Sequence, residues 1–222
     1  MSHNMTDSLY RPSFPTLHDF NLDGHAALEA MIATSSFQTV SQTVASLTIF
    51  SHPDTVRQTN YKPVIRTIRN ASRRGEIVEL NGARVGLDDN KSPTDVFMWC
   101  NGLRGRPRDI QFNHVYGRSS DPDCYTCLAN LCITPSFLAK LTDTNPEIRA
   151  ILQYRVWDLY RWHPVDTAQP PEPQHYTSLR WAPTLQPIQN VRATFEAMIE
   201  RRAKDRSSIL YRDLGLFNQW TD

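Results

Sequence analysis

Residues 109–143 read DIQFNHVYGRSSDPDCYTCLANLCITPSFLAKLTD, and the centre of the fold turns on them. Apolar and polar side chains alternate at the start, with Ile110, Phe112 and His114 on one face of a strand and Gln111, Asn113 and Val115 on the other. A polar loop follows over residues 116–128, a length at which loops are often functional. Asn130 then opens a second apolar run, Asn130-Leu131-Cys132-Ile133-Thr134, which reads as the returning strand. Pro135 marks a helix start, with Thr134 and Ser136 as the capping candidates, and Asn145-Pro146 ends that helix before the next one, over residues 147–162. The order is strand, loop, strand, helix.

Upstream, Leu28, Met31, Ile32 and Val40 give residues 25–44 the apolar stripe of one or two helices. Ser51-His52-Pro53-Asp54 reads as a turn and helix start. Over residues 61–75 the spacing of Val64, Ile65, Ile68 and Ala71 predicts a helix with Pro63 in its first turn and Gly75 at its end. Arg66, Arg69 and Arg73 would share its other face. EIVEL-NG-ARVGL comes next, and an Asn-Gly pair between two β-like runs predicts a type I′ hairpin at Asn81-Gly82. Asp88 and Asp89 are adjacent, so on extended chain they diverge; a turn or capping role is expected of them rather than a metal site. Six prolines over residues 164–187 predict an extended segment wrapped over the surface, followed by a helix over residues 190–206. The segment LYRDLGLFNQW, residues 210–220, is read as an arm that docks on the body or contacts a second copy in a homodimer.

A basic helix followed by a tight hairpin is similar to the recognition helix and wing of winged-helix DNA-binding domains. That resemblance implies that Arg66, Arg69, Arg73 and Arg74 approach DNA phosphates, with Arg84 on the wing. The 109–143 stretch resembles the ββα-metal finger of HNH-type nucleases. In that family a general-base histidine on the first strand follows a metal-binding residue, an asparagine opens the second strand, and a further ligand lies in the helix. Carried onto this chain, the resemblance implies that His114 deprotonates the attacking water, that Asn130 braces the loop and orients His114, and that Asn113 binds the metal. Ala139 stands at one ligand position of the helix, and Asp143, one turn on, is the remaining candidate. The implied cofactor is one divalent cation, Mg²⁺ or Mn²⁺, and the implied activity is a DNA endonuclease of a restriction or mobile-element kind. The chemistry suits these groups: an unperturbed histidine, with a pKa of about 6.5, accepts a proton near neutrality, and a divalent cation offsets charge on the scissile phosphate. A DNA-binding protein that keeps a non-catalytic finger is the alternative, and a protein-interaction module a third.

Composition sets the outer bounds. The 222 residues carry a formal net charge of +1, so total charge does not point to nucleic acid. Its distribution does: residues 57–74 hold six basic side chains and no acid, and Arg104, Arg106, Arg108 and Arg118 face only Asp109 over residues 104–118. No run reaches the roughly 18 apolar residues of a membrane span. The N-terminal MSHNMTDSLYRPSFP lacks a signal peptide's charged start and apolar core, so a cytoplasmic protein without membrane partners is expected. Cys124 and Cys127 form one CxxC pair; without a second pair, reduced, partly buried cysteines are expected at Cys100, Cys124, Cys127 and Cys132 rather than structural zinc. The class expected is mixed α+β: a helical, winged-helix-like region over residues 1–100, a ββα finger with its following helix over 101–165, and a wrapping segment with a C-terminal helix over 166–222.

Overall fold

A computed structural model describes residues 23–106 and 108–215, and the chain is a mixed α+β protein within them. Among the described residues, those up to Val40 form one compact unit and those from Ser41 onward a second. In the first unit helix α1 (Gly24–Ala33) is capped by Asp23, whose side chain accepts from the Ala26 N–H at 2.7 Å. The irregular arm expected over residues 1–24 lies outside the described residues up to Asn21 and Leu22.

Helix α2 (Val40–Leu47) leads into the second unit, and α3 (Pro53–Arg57) starts where Pro53 was expected to start it, with His52 Nδ1 accepting from the Asp54 N–H. The first sheet has three strands in the order β1 (Thr67–Arg69), β3 (Ala83–Asp88), β2 (Ile77–Leu80). β2 and β3 are antiparallel with Leu80 opposite Ala83, so Asn81 (φ 51°) and Gly82 (φ 74°) make the two-residue hairpin turn that the Asn-Gly pair predicts. Among the described residues, none beyond its two chain neighbours comes within 4 Å of a Cβ built on Gly82. Gly82→Ala therefore tests the backbone alone: left-handed φ costs an L-residue about 1–2 kcal/mol, and the urea midpoint should fall by that equivalent. An unchanged midpoint would mean the turn relaxes to another type.

The helix expected over residues 61–75 is not there. Residues 67–69 run as β1, parallel to β3 with Thr67 opposite Gly86 and Arg69 opposite Asp88, and only Ala71–Arg73 coils, as a 3₁₀ turn. The β-branched residues Val64, Ile65, Thr67 and Ile68 suit extended backbone. What decides the matter is partners far along the chain: the Val64 N–H donates to Thr126 O, Ile65 pairs with Thr126 Oγ1, and the Gly86 N–H donates to Arg66 O. The winged-helix likeness thus keeps its hairpin and loses its recognition helix, and Arg66, Arg69 and Arg73 share no helical face.

Helix α4 (Lys91–Cys100) runs through the core, with Val96, Phe97, Trp99 and Cys100 buried. The Ser92 N–H at its start donates to Asp88 Oδ2 at 2.6 Å, the capping role foreseen for that carboxylate. Trp99 packs on Phe195 of α7 (Val191–Arg201) and Tyr211 of α8 (Arg206–Leu214), with centroids 5.3 and 6.0 Å apart. The C-terminal arm thus docks on the body as far as Gly215, and residues 216–222 lie outside the described residues. The proline-rich segment is extended as expected; it is tied down where the Ala182 and Leu185 N–H groups donate to Ala45 O and Phe50 O, both at 2.9 Å. No helix among the described residues is long and apolar enough to cross a membrane.

Candidate active site

The second sheet is the expected pair, β4 (Ile110–His114) antiparallel to β5 (Leu131–Pro135), with His114 opposite Leu131 and Asn113 opposite Cys132. The helix expected from Pro135 is shorter than the sequence suggests. Residues 136–140 close a series of i→i−3 turns, and α5 (Leu141–Thr144) supplies a single helical turn before Asn145 caps the long helix α6 (Pro146–Tyr160). Pro135 still belongs to β5, paired with Ile110, which delays the helix.

Asn130 closes the loop between the strands. It is fully buried; its Oδ1 accepts from the Tyr116 N–H at 2.7 Å, and its Nδ2 donates to Tyr116 O at 3.1 Å and Cys124 O at 3.0 Å. One acceptor and two donors on a short planar group meet one N–H and two carbonyls, which an amide side chain does and a carboxylate does not. The fold this imposes brings Tyr125 under His114. The two rings stack at 5.2 Å and 13°, and His114 Nε2 lies 2.8 Å from Tyr125 O. A carbonyl only accepts, so Nε2 carries the proton and Nδ1 holds the lone pair of the neutral ring. Tyr125 is itself fixed, its hydroxyl accepting from the Asn90 N–H at 2.7 Å. Burial lowers the His114 pKa from its ordinary value; the Tyr125 carbonyl and the Asp143 charge act the other way, and Arg69 adds to the lowering.

His114 lines a cleft of about 380 Å³ together with Asn113, Asp143, Arg69, Asn90 and Lys140. Asn113 Nδ2 donates to Thr134 Oγ1 at 2.5 Å, which leaves its Oδ1 as an acceptor. Asp143, on α5, is exposed and lines the same cleft, as does Ala139, so the sequence-predicted base and both predicted metal ligands border one cleft. Their oxygen donors fit a hard divalent cation of the Mg²⁺ kind, which binds through one or two protein oxygens and fills the remaining positions with water and substrate phosphate. No group of three or more His, Cys, Asp or Glu side chains disposed to hold a metal occurs among the described residues, and Asp143 is the one carboxylate lining this cleft, beside the amides of Asn90, Gln111 and Asn113. The loop acids Asp121 and Asp123 do not supplement them, since they line a different cleft.

The arginines expected to hold nucleic acid divide into paired and unpaired. Arg66 meets Asp123 at 3.0 Å, Arg69 meets Asp89 at 3.2 Å, Arg73 meets Glu76 at 2.7 Å, Arg74 lies 3.8 Å from Asp88, and Arg118 bonds Asp166 at 2.6 Å. A run with no acid in sequence is thus met by carboxylates from elsewhere in the fold, and of these five only Arg69 lines the His114 cleft. Arg104 and Arg106, just before β4, are exposed and form no ion pair with another described residue; Arg106 lies over the Phe112 ring at 5.5 Å.

Tyr125, Asn90 and Lys140 complete the site and were not foreseen. For Tyr125 a signal existed: a large aromatic between two cysteines inside an otherwise polar loop is out of place unless it is buried, and it is fully buried here. The four cysteines are free, and they are buried more completely than the partial burial expected of them. Burial pushes the Cys127 and Cys132 thiols up to about 12, far from the thiolate form that reacts with electrophiles. Set against family models, curated proteins and solved structures, the chain matches none.

Proposed function

We propose that this chain is a metal-dependent endonuclease of the HNH type that hydrolyses DNA phosphodiester bonds. The observation that carries the reading is the fixed tautomer of His114: with Nε2–H committed to Tyr125 O, Nδ1 is the base, in a cleft shared with Asn113 and Asp143. His114 Nδ1 takes a proton from water as the water oxygen attacks phosphorus; a P–O ester bond breaks, and the departing alkoxide is protonated from solvent. Asn113 Oδ1 and the Asp143 carboxylate would hold the divalent cation, which supplies charge stabilisation on the phosphate and leaving oxygen. Lys140 borders the cleft as a cation for a flanking phosphate, and Arg69, which also lines it, is already paired with Asp89.

Incubation with supercoiled plasmid tests the proposal: nicking or linearisation is expected with Mg²⁺ or Mn²⁺ and none with excess chelator, and cleavage indifferent to chelator would overturn the metal assignment. The same assay across pH reads the base. Its pKa is lowered by burial, so the ring stays neutral on acidification longer than a free histidine, and the acid limb of kcat/KM should lie below about pH 6.5. A limb above that value would exclude His114 as the titrating group. Exposed Arg104 and Arg106 favour a second reading, DNA binding without catalysis, which a salt-dependent gel shift in the absence of any cleavage would select.

A further inference from the structure

A larger cleft, of about 610 Å³, opens beside the first, with Tyr61 and Trp162 among its walls. The two clefts share a partition. Along the segment that leaves β4, Gly117 and Ser119 line the His114 cleft, whereas Arg118 and Asp121 line the larger one. The partition is pinned to β1, the Arg69 N–H donating to Ser119 O at 2.8 Å. Arg66 and Arg69, three residues apart on extended chain and so separated by about 10 Å, reach one into each cleft.

The larger cleft is charge-balanced: Lys62, Arg66 and Arg118 face Asp121, Asp123 and Asp166. Its two arginines are engaged, Arg66 with Asp123 and Arg118 with Asp121 and Asp166, which lowers what a phosphate gains there. What the lining does offer is flat aromatic surface beside paired donors and acceptors. The Trp162 ring is held edge-on against Tyr116 at 5.8 Å. Tyr61 sits at φ 57°, directly after Asn60 at φ 50°, a conformation uncommon for a bulky residue, and its carbonyl is held by the Cys127 thiol at 3.3 Å. Carboxylates accept from the amino groups of a nucleobase, guanidinium groups donate to its carbonyl and ring nitrogens, and aromatic rings stack on its face. The volume is within the range of pockets that enclose a small organic molecule.

We infer that this second cleft is a nucleobase site, taking an unstacked base of the same polynucleotide whose phosphate enters the His114 cleft; the inference rests on the nuclease reading for its partner. Base recognition here is separate from backbone binding next door, with Trp162 and Tyr61 as the stacking surfaces and Asp123 as an edge reader.

Binding of the four 2′-deoxynucleosides, of a short single-stranded oligodeoxynucleotide and of an abasic oligomer of equal length, each titrated into the full chain by calorimetry and NMR, tests it. At least one nucleoside should bind wild type and His114→Ala alike, and the abasic oligomer should bind more weakly than the intact one. Trp162→Ala should weaken oligodeoxynucleotide binding about 5- to 150-fold, the loss of one stacked base. Asp123→Asn, at an exposed position whose change spares the core, should alter which nucleoside binds best. Absence of nucleoside binding to folded wild type, or wild-type binding by both variants, overturns the site. A nucleoside bound as tightly as the oligodeoxynucleotide overturns the polynucleotide assignment. Base binding by a wild-type protein that cleaves no plasmid with Mg²⁺ or Mn²⁺ removes the nuclease reading and leaves the base site standing.

Discussion

His114→Ala is expected to lower plasmid cleavage by about 10²–10⁴-fold, the usual contribution of a positioned general base, while the protein remains folded. The ring is held by one hydrogen bond to Tyr125 O and by stacking on the Tyr125 ring, and it is only partly buried. Losing those contacts costs about 1–2 kcal/mol, within the stability of an ordinary domain. Circular dichroism and the urea midpoint distinguish a dead but folded variant from an unfolded one. His114→Gln sharpens the experiment, because its amide still donates to the Tyr125 carbonyl and has no titrating nitrogen; it should be as inactive as the alanine variant. Undiminished cleavage by folded His114→Ala would sink the assignment of the base.

The second large effect falls on stability. Asn130→Ala is expected to lower the free energy of unfolding by about 2–4 kcal/mol. The arithmetic rests on what each partner has left. The Tyr116 N–H is left with no partner among the hydrogen bonds described, whereas Tyr116 O keeps a donor in Arg118 N and Cys124 O keeps one in Cys127 N. One orphaned donor and two weakened acceptors therefore set the size. Asn130→Asp, the same in shape, should cost at least as much, since it turns an acceptor-only group toward two buried carbonyls. Because the loop carries Tyr125, either change should also reduce cleavage under conditions where the protein stays folded. An Asn130→Ala midpoint shifted by less than about 1 kcal/mol equivalent would show that the loop is closed by other contacts.

The residues settled a good deal by themselves wherever a local rule was strong. Asn81 and Gly82 both tolerate positive φ, so the hairpin turn followed from two letters. Asn145-Pro146 announced the start of α6, where Asn145 Oδ1 accepts from the Glu147 and Ile148 N–H groups. Alternation over residues 110–114 and the apolar run after Asn130 gave the two strands that carry the site, and the asparagine, histidine and aspartate read from them do share a cleft.

Tertiary structure decided the rest. Residues 61–75 have an apolar spacing compatible with a helix, but a run of β-branched residues found sheet partners in β3 and in the loop around Thr126, and pairing outweighed a weak local preference. The basic run of residues 57–74 looks like a free cationic face only until Asp123, Asp89 and Asp88 are folded against it. Tyr125 beneath His114 follows from how Asn130 gathers the loop, a set of three hydrogen bonds between residues 6 and 14 positions apart. Short-range sterics and capping are written in neighbouring residues; partners brought together by chain closure are not, and at this site they fix the tautomer of the histidine, neutralise the arginines and divide one loop between two clefts.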